Sequence, residues 1–396
     1  MNQTGASPQP QEFYQSPVAG SGTILAAGCE THRLVACLLE PIGGVYRLAA
    51  WRISPTPDQR PLPVQLHELC RKLGARLQRT LWDDARGGPL LQSPDPVRYP
   101  PLEQFVITAS PRPRLRVWLV GLTEQNSLAA ARRGLDASQT QLAGAASLTA
   151  DLEAAALARE LDDLRPEALV LTGGYENPDA RAHSPMRRLA GLLAAALRRL
   201  PDHARPELVY AGNSFALPAV ASILQESRLH SAENVLPAPG QMREQPLAAI
   251  LDDLYDQKCR RVQGFARLAQ WSTLPPPLLT VEDSFTRLVA LWMALQGLRE
   301  LYGLYAGGDR WLYVWADAGT NTLQTRYAAP HSAPSLPDQR PPLSLVSGPW
   351  SGPAPLPDSV RWHDPLGLAP IVAAAGQTSP AAAVQTLTHD LLLPPR

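Results

Sequence analysis

The hydrophobic positions along the chain fall into distinct regimes. From residue 23, short apolar runs separated by turns, "GTILAAGCETHRLVACLLE" and "GGVYRLAAWRIS", predict an antiparallel meander of three strands, with a glycine turn at Gly28 and Gly43-Gly44 before the third. Over 62–82 the spacing changes. Leu66, Leu69, Leu73, Leu77 and Leu81 recur at three and four residues, which predicts one amphipathic helix.

The middle of the chain alternates. "LRVWLVGL" (115–122), "EALVLTGG" (167–174) and "ELVYAGN" (207–213) read as strands, followed by a short one in "ENVLPAP". Helical patterns fall between them in "TEQNSLAAARRGLDAS", "DLEAAALARELDDL", 185–200 and 215–228. Strands alternating with helices predict a parallel sheet covered on both faces. Residues 247–270 are helical by pattern, and 281–305 predict one longer helix, capped by Asp283 or Ser284 and stopped near Gly307-Gly308. It leads into "LYVWADAGTNT" (312–322), an apolar strand that ends at Asp317, Gly319, Thr320 and Thr322. Such an ending has two readings: a hairpin turn made from ordinary turn residues, or a strand end whose acid, backbone N–H groups and hydroxyls hold phosphate.

Composition narrows the function classes. Lys plus Arg equal Asp plus Glu, 36 each, so the formal net charge is zero and the chain carries no nucleic-acid footprint. The pairs Arg132-Arg133, Arg187-Arg188, Arg198-Arg199 and Arg260-Arg261 are spread through helical segments and read as solvated faces. The four cysteines, Cys29, Cys37, Cys70 and Cys259, lack CxxC spacing, and the histidines form no close ligand pair. A cytoplasmic setting without a structural metal is expected. The start of the chain lacks the charged opening and apolar core of a signal peptide, and "LAGLLAAAL" from Leu189 is too short to span a bilayer, so no membrane association is expected. Prolines, 41 in all, cluster near 55–63, 94–113, 275–277 and 330–358, which predicts linkers and an irregular C-terminal section.

Two further candidates sit in the α/β middle. "LTGGYENPDARAH" (171–183) leaves a strand through Gly173 and Gly174, either as a ligand or partner loop or as a glycine turn into a helix start. In "YAGNS", Asn213 or Ser214 reads as a helix cap.

"AAGCETHR" followed by "GGVYRLAAWRISPT", then "VWLVGLTEQNSLAAARRGL", "LVLTGGYENPD", "LVYAGN", "ENVLPAP" and "WADAGTNTLQ", form an ordered set over roughly residues 22–330. That set resembles the MutL or GlmL family, encoded with adenosylcobalamin-dependent glutamate mutase and unrelated to the mismatch-repair protein of similar name. The wider likeness is to the actin, sugar-kinase and Hsp70-type ATPases. The resemblance implies an α/β, two-lobed actin-like ATPase (ribonuclease H-like) fold with a flavodoxin-like α/β block. In that scheme 1–21 are a disordered tail, 22–114 a first lobe, 115–240 the α/β block, 241–330 a second lobe and 331–396 a proline-rich irregular segment. It implies two phosphate hairpins, one with Gly28 and Thr31, the other with Asp317, Gly319, Thr320 and Thr322, and Asp317 as the magnesium-side carboxylate of a bound ATP. It also implies a protein partner, a cobalamin-dependent mutase.

The first hairpin departs from the family pattern. Ala26 stands at the family's acid, Cys29 at its serine, Glu30 and Thr31 near its threonines and Arg33 at its lysine, while its small, glycine-rich loop becomes "TASPRPRLR". The expectation is therefore a degenerate member, a pseudo-ATPase chaperone or reactivation factor that is not an enzyme. The alternatives are a working Mg-ATPase that adds Asp283 or Glu282 to Asp317, and a scaffold that binds no nucleotide.

Overall fold

The computed structural model describes residues 22–42, 45–55, 60–148, 152–225, 227–275, 278–306, 311–320 and 322–328. The expected tail over 1–21 and the segment 331–396 lie outside them. The described residues divide into two compact units, one reaching to Ala109 with Ala266–Leu279, the other Ser110–Phe265 with the part from Thr280 onward. No helix among them is long and apolar enough to cross a membrane.

The first unit opens with the expected three-strand meander, but its first turn is not at Gly28, which lies inside the first strand opposite Val35. Strands β1 (Ile24–Glu30) and β2 (Arg33–Ile42) form a hairpin over the two residues Thr31 and His32, and β3 (Val45–Pro55) pairs with β2. Cross-strand partners Leu25 and Leu38, Ala27 and Ala36, and Cys29 and Leu34 put one buried face on the sheet. Helix α1 (Leu62–Arg76) buries Leu66, Leu69 and Leu73 of the predicting period and Leu62 besides, but it stops short of the expected 82, with Leu77 at its cap and Leu81 beyond it. The short pair β4 (Trp82–Asp83) and β5 (Gly88–Pro89) follows, and then β6 (Gln104–Ser110), which completes the order β3-β2-β1-β6. Strand β6 lies inside the proline-rich stretch 94–113, where prolines mask its alternation Phe105, Ile107, Ala109.

In the second unit, β7 (Leu115–Gly121) leads through a wide turn (Glu124–Leu128) into α2 (Ala129–Asp136). Then come β8 (Thr140–Ser147), α3 (Ala154–Leu164), β9 (Ala168–Thr172), α4 (Ser184–Leu197), β10 (Glu207–Tyr210), α5 (Leu217–Ile223), β11 (Leu229–Ser231) and α6 (Gln245–Arg260). The five strands are parallel in the order β11-β10-β9-β7-β8, which is the 2-1-3-4-5 order of flavodoxin-like sheets. Every residue of β9 is buried, as a strand covered on both faces requires. Trp118, Leu169, Leu171 and Tyr210 meet Leu161 of α3 and Leu189 and Leu193 of α4 in one core.

Two elements depart from the pattern reading. Strand β8, "TQLAGAAS", has little β-propensity because its small residues make room: a Cβ on Gly144 would stand 2.5 Å from Trp118 Nε1. The last parallel strand is β11, not "ENVLPAP", whose Asn234 instead ties down a loop.

Helix α7 (Phe265–Trp271) returns to the first unit, where Trp271 meets Trp82 edge-on at 4.8 Å. The expected long helix over 281–305 is two elements: α8 (Val281–Leu295) and strand β12 (Glu300–Ala306). Gly297 at φ +61° ends the helix in a left-handed turn. Gly303 then lets β12 lie against α8, since a Cβ there would meet Val289 Cγ2 at 2.3 Å. The cap is Thr280, whose Oγ1 accepts from the Asp283 N–H at 3.0 Å. Strands β13 (Trp311–Asp317) and β14 (Thr322–Ala328) complete an antiparallel sheet β12-β13-β14, packed through Leu312, Val314 and Ala316 on Val289.

Candidate functional site

The β1–β2 tip is the first candidate. Its register places Ala26, Gly28 and Glu30 on the sheet face that also carries Cys37 and Val35. Gly28 is open, because a Cβ there would find only Thr108 Oγ1, at 4.0 Å. The two-residue turn brings Glu30 and Arg33 together, with Nε donating to Oε1 at 2.8 Å and side chains only 13% and 7% exposed. Thr31 Oγ1 is buried without a hydrogen-bond partner. These residues do not fit a magnesium-bound phosphate. Ala26 supplies no ligand, and the carboxylate that is present, Glu30, is held by the residue at the family's lysine position. The orphan Thr31 hydroxyl is suited to donating to an anion.

The β13–β14 tip keeps more. Asp317, 5% exposed, pairs in register with Thr322. Its Oδ1 accepts the Gly319 N–H at 2.8 Å, closing an Asx turn. The Thr320 and Thr322 hydroxyls bond each other at 2.7 Å. The Ala318 N–H donates to the Arg299 carbonyl at 2.9 Å, and the Arg299 guanidinium flanks Gly319. One carboxylate beside two hydroxyls can hold a divalent cation through water.

Neither Glu282 nor Asp283, the acids expected to join it, does so; the cross-strand neighbour of Asp317 in the β12–β13 register is Glu300. Glu282 and Asp283 open α8, whereas Arg299, beside the Asp317 turn, follows the other end of that 15-residue helix, about 20 Å away at 1.5 Å per residue. Glu282 instead accepts from the Ser110 hydroxyl, and Asp252 Oδ1 accepts the Gln139 N–H at 2.7 Å. Asp252, Asp256, Glu282 and Asp283 crowd one another, a clustering signalled in sequence by the helical spacing of 252 and 256. Burial first, then Asp283, pushes the Asp256 carboxyl up to about 6, and burial raises Asp252 well above the usual range. Among the described residues, no group of three or more His, Cys, Asp or Glu is arranged to hold a metal ion.

A pH dependence follows. A raised folded-state pKa means that the fold favours the protonated form, so this contribution weakens stability as pH rises through about 4 to 6. Asp256→Asn is expected to raise the melting temperature at pH 7.5 and to flatten its rise on acidification to pH 5, read by thermal scans of both proteins.

The loop after β9 is the third candidate. Gly173 has φ +143° and Gly174 φ +77°, and a Cβ on Gly173 would stand 2.5 Å from Leu122 Cγ, so both positions require glycine. Asn213 caps the next short turn through the Phe215 N–H at 3.0 Å, and its Nδ2 donates to the Asn177 carbonyl at 3.1 Å. The loop also offers Tyr175, Glu176, Asn177, Asp179 and His183 by sequence, and the structure shows what Glu176 holds. Glu176 accepts from the Ser214 N–H at 3.0 Å, the Ser214 hydroxyl and Asn234 Nδ2 at 2.8 Å. Burial alone would raise the Glu176 carboxyl, but these donors hold it below its ordinary value. The sheet edge is thus pinned by its own polar groups, and Leu122 fills the space at the β7–β9 crossover where such sheets receive ligands.

A model of the MutL protein family matches residues 65–283, more than half of the chain. The chain belongs to the MutL family. The MutL match runs from α1 to the first turn of α8, and both hairpin tips lie outside it. A search of curated proteins finds no match. Among solved structures, T. thermophilus RuvC in complex with a Holliday junction substrate aligns over 64% of this chain and 99% of its own, at 11% identity and a TM-score of 0.12. Thermus thermophilus RuvC alone gives the same coverage, identity and score. A likeness that slight carries no argument about this MutL-family chain.

Proposed function

We propose that this MutL-family chain is a non-catalytic accessory protein of the glutamate mutase L type: a degenerate nucleotide-binding protein, or pseudo-ATPase, that serves an adenosylcobalamin-dependent mutase as a chaperone or reactivation factor. In this reading it is a cytoplasmic protein of two-lobed actin-like architecture, and the β1–β2 and β13–β14 hairpins are its two phosphate hairpins. The Glu30–Arg33 pair carries the reading, because it puts a carboxylate and its counter-ion where the superfamily grips phosphate. Asp317 retains the inherited turn, whereas the carboxylate of the first hairpin is taken up in an ion pair.

Calorimetry with ATP and magnesium tests the reading. The expected result is no magnesium-dependent binding tighter than about 1 mM, an affinity of roughly 4 kcal/mol. Co-purification of the cobalamin-dependent mutase with this chain is expected to survive Asp317→Ala. Tight, metal-dependent binding abolished by Asp317→Ala would establish a working ATPase instead.

A further inference from the structure

The arginine pairs do not all behave alike. Arg132 reaches Glu124 at 3.2 Å and Arg133 reaches Glu244 at 3.5 Å. Arg187-Arg188 on α4 and Arg198-Arg199 just beyond it are exposed, and among the described residues no carboxylate lies within ion-pair distance of any of the four. The nearest acid in sequence, Asp202, is held by Arg205 at 3.0 Å.

The helical turn gathers these four charges. At 100° per residue, 187, 198, 188 and 199 fall within a sector of about 120°, opposite the stripe of Met186, Leu189, Leu193 and Leu197 that α4 buries. Between the two pairs the same sector holds only small side chains, Gly191 and Ala195, and Ser184 continues it before the first pair. A Cβ on Gly191 would meet nothing within 4 Å. The face is therefore a shallow floor with a guanidinium pair at each end, about 16 Å apart over eleven residues.

We propose that this face of α4 is a docking surface for an acidic α-helical segment of a partner protein. The small floor lets a helix backbone approach closely, and the arginine forks take carboxylates in a bidentate fashion at both ends. Nucleic acid fits less well, since the net charge is zero and no exposed aromatic lies on α4 to stack a base. A membrane surface fits less well too, because α4 exposes no large apolar side chain to enter the lipid. The inference stands apart from the nucleotide question.

The test uses the full chain and an alanine-rich helical peptide bearing Glu-Glu pairs eleven positions apart. Binding is expected to weaken with added salt, and to fall about tenfold or more when R187E, R188E, R198E and R199E are combined. A peptide of the same composition with its Glu pairs adjacent is expected to bind less tightly. If the charge-reversed chain fails to fold, as judged by circular dichroism, the four Arg→Gln changes replace it with the same expectation. Equal binding by wild type and variant, no preference between the two peptides, or tighter binding of duplex DNA or phosphatidylserine vesicles than of the matched peptide would overturn the proposal.

Discussion

Ala26→Asp combined with Glu30→Thr and Arg33→Lys is expected to confer magnesium-dependent ATP binding, a gain of at least about tenfold, or 1.4 kcal/mol. Each change answers one observation. Asp at 26 restores a carboxylate to the strand face that carries Gly28, and Thr at 30 removes a negative side chain from the tip. Lys at 33 restores the family's residue at the position whose guanidinium now holds Glu30. Glu30→Thr alone is therefore expected to destabilise the first unit by about 3 kcal/mol, the scale of a broken buried pair, and a urea melt would show it. Hydrolysis need not return, since it also requires a positioned water and closure. If the triple variant folds and calorimetry still detects no nucleotide, the tip is not what prevents binding. Attention then passes to "SPRPR", where Arg112 is committed to Glu167 and lies over the Tyr255 ring at 5.9 Å.

Much of this was legible in the residues. Alternation in "ILAAGCE" and the leucine period of α1 gave their elements because local pattern and burial agree there. The parallel block was legible for the same reason, since a strand covered on both faces reads as an unbroken apolar run. Two of the misreadings share a cause, a position decided by a distant neighbour. Gly144 exists for Trp118 and Gly303 for Val289, so β8 looks like a loop, and "RELYGLY" looks like the continuation of a helix. The site divides similarly. The Asp317 turn and the Asn213 cap follow from local chemistry. The Glu30–Arg33 pair was implicit in a two-residue turn, which sets positions three apart against each other. The Glu176–Ser214–Asn234 network joins three loops, and no spacing along the chain announces it.

Arg326→Ala is expected to cost about 3 kcal/mol, the scale of a buried ion pair that loses one member. Arg326 lies on β14 with its side chain 10% exposed, and it donates to Glu244 at the start of α6, itself 16% exposed. Arg133 of α2 approaches the other Glu244 oxygen at 3.5 Å, and Thr325 donates to the Ala137 carbonyl at 3.3 Å. These contacts tie the antiparallel sheet that carries Asp317 to the parallel block. Burial raises the carboxyl of nearby Asp136, and Arg326 is the first charge opposing that rise. Removing Arg326 thus leaves Glu244 with a weaker partner and pushes Asp136 further toward its protonated form. Denaturant melts of Arg326→Ala, Glu244→Gln and the double variant would apportion the energy. The double variant is expected to recover much of the loss, because a desolvated pair contributes little beyond the cost of stranding either member. A single-variant loss under about 1 kcal/mol would mean that the pair behaves as a solvated surface contact and that the hairpin is held chiefly by Leu312, Val314 and Ala316 against α8.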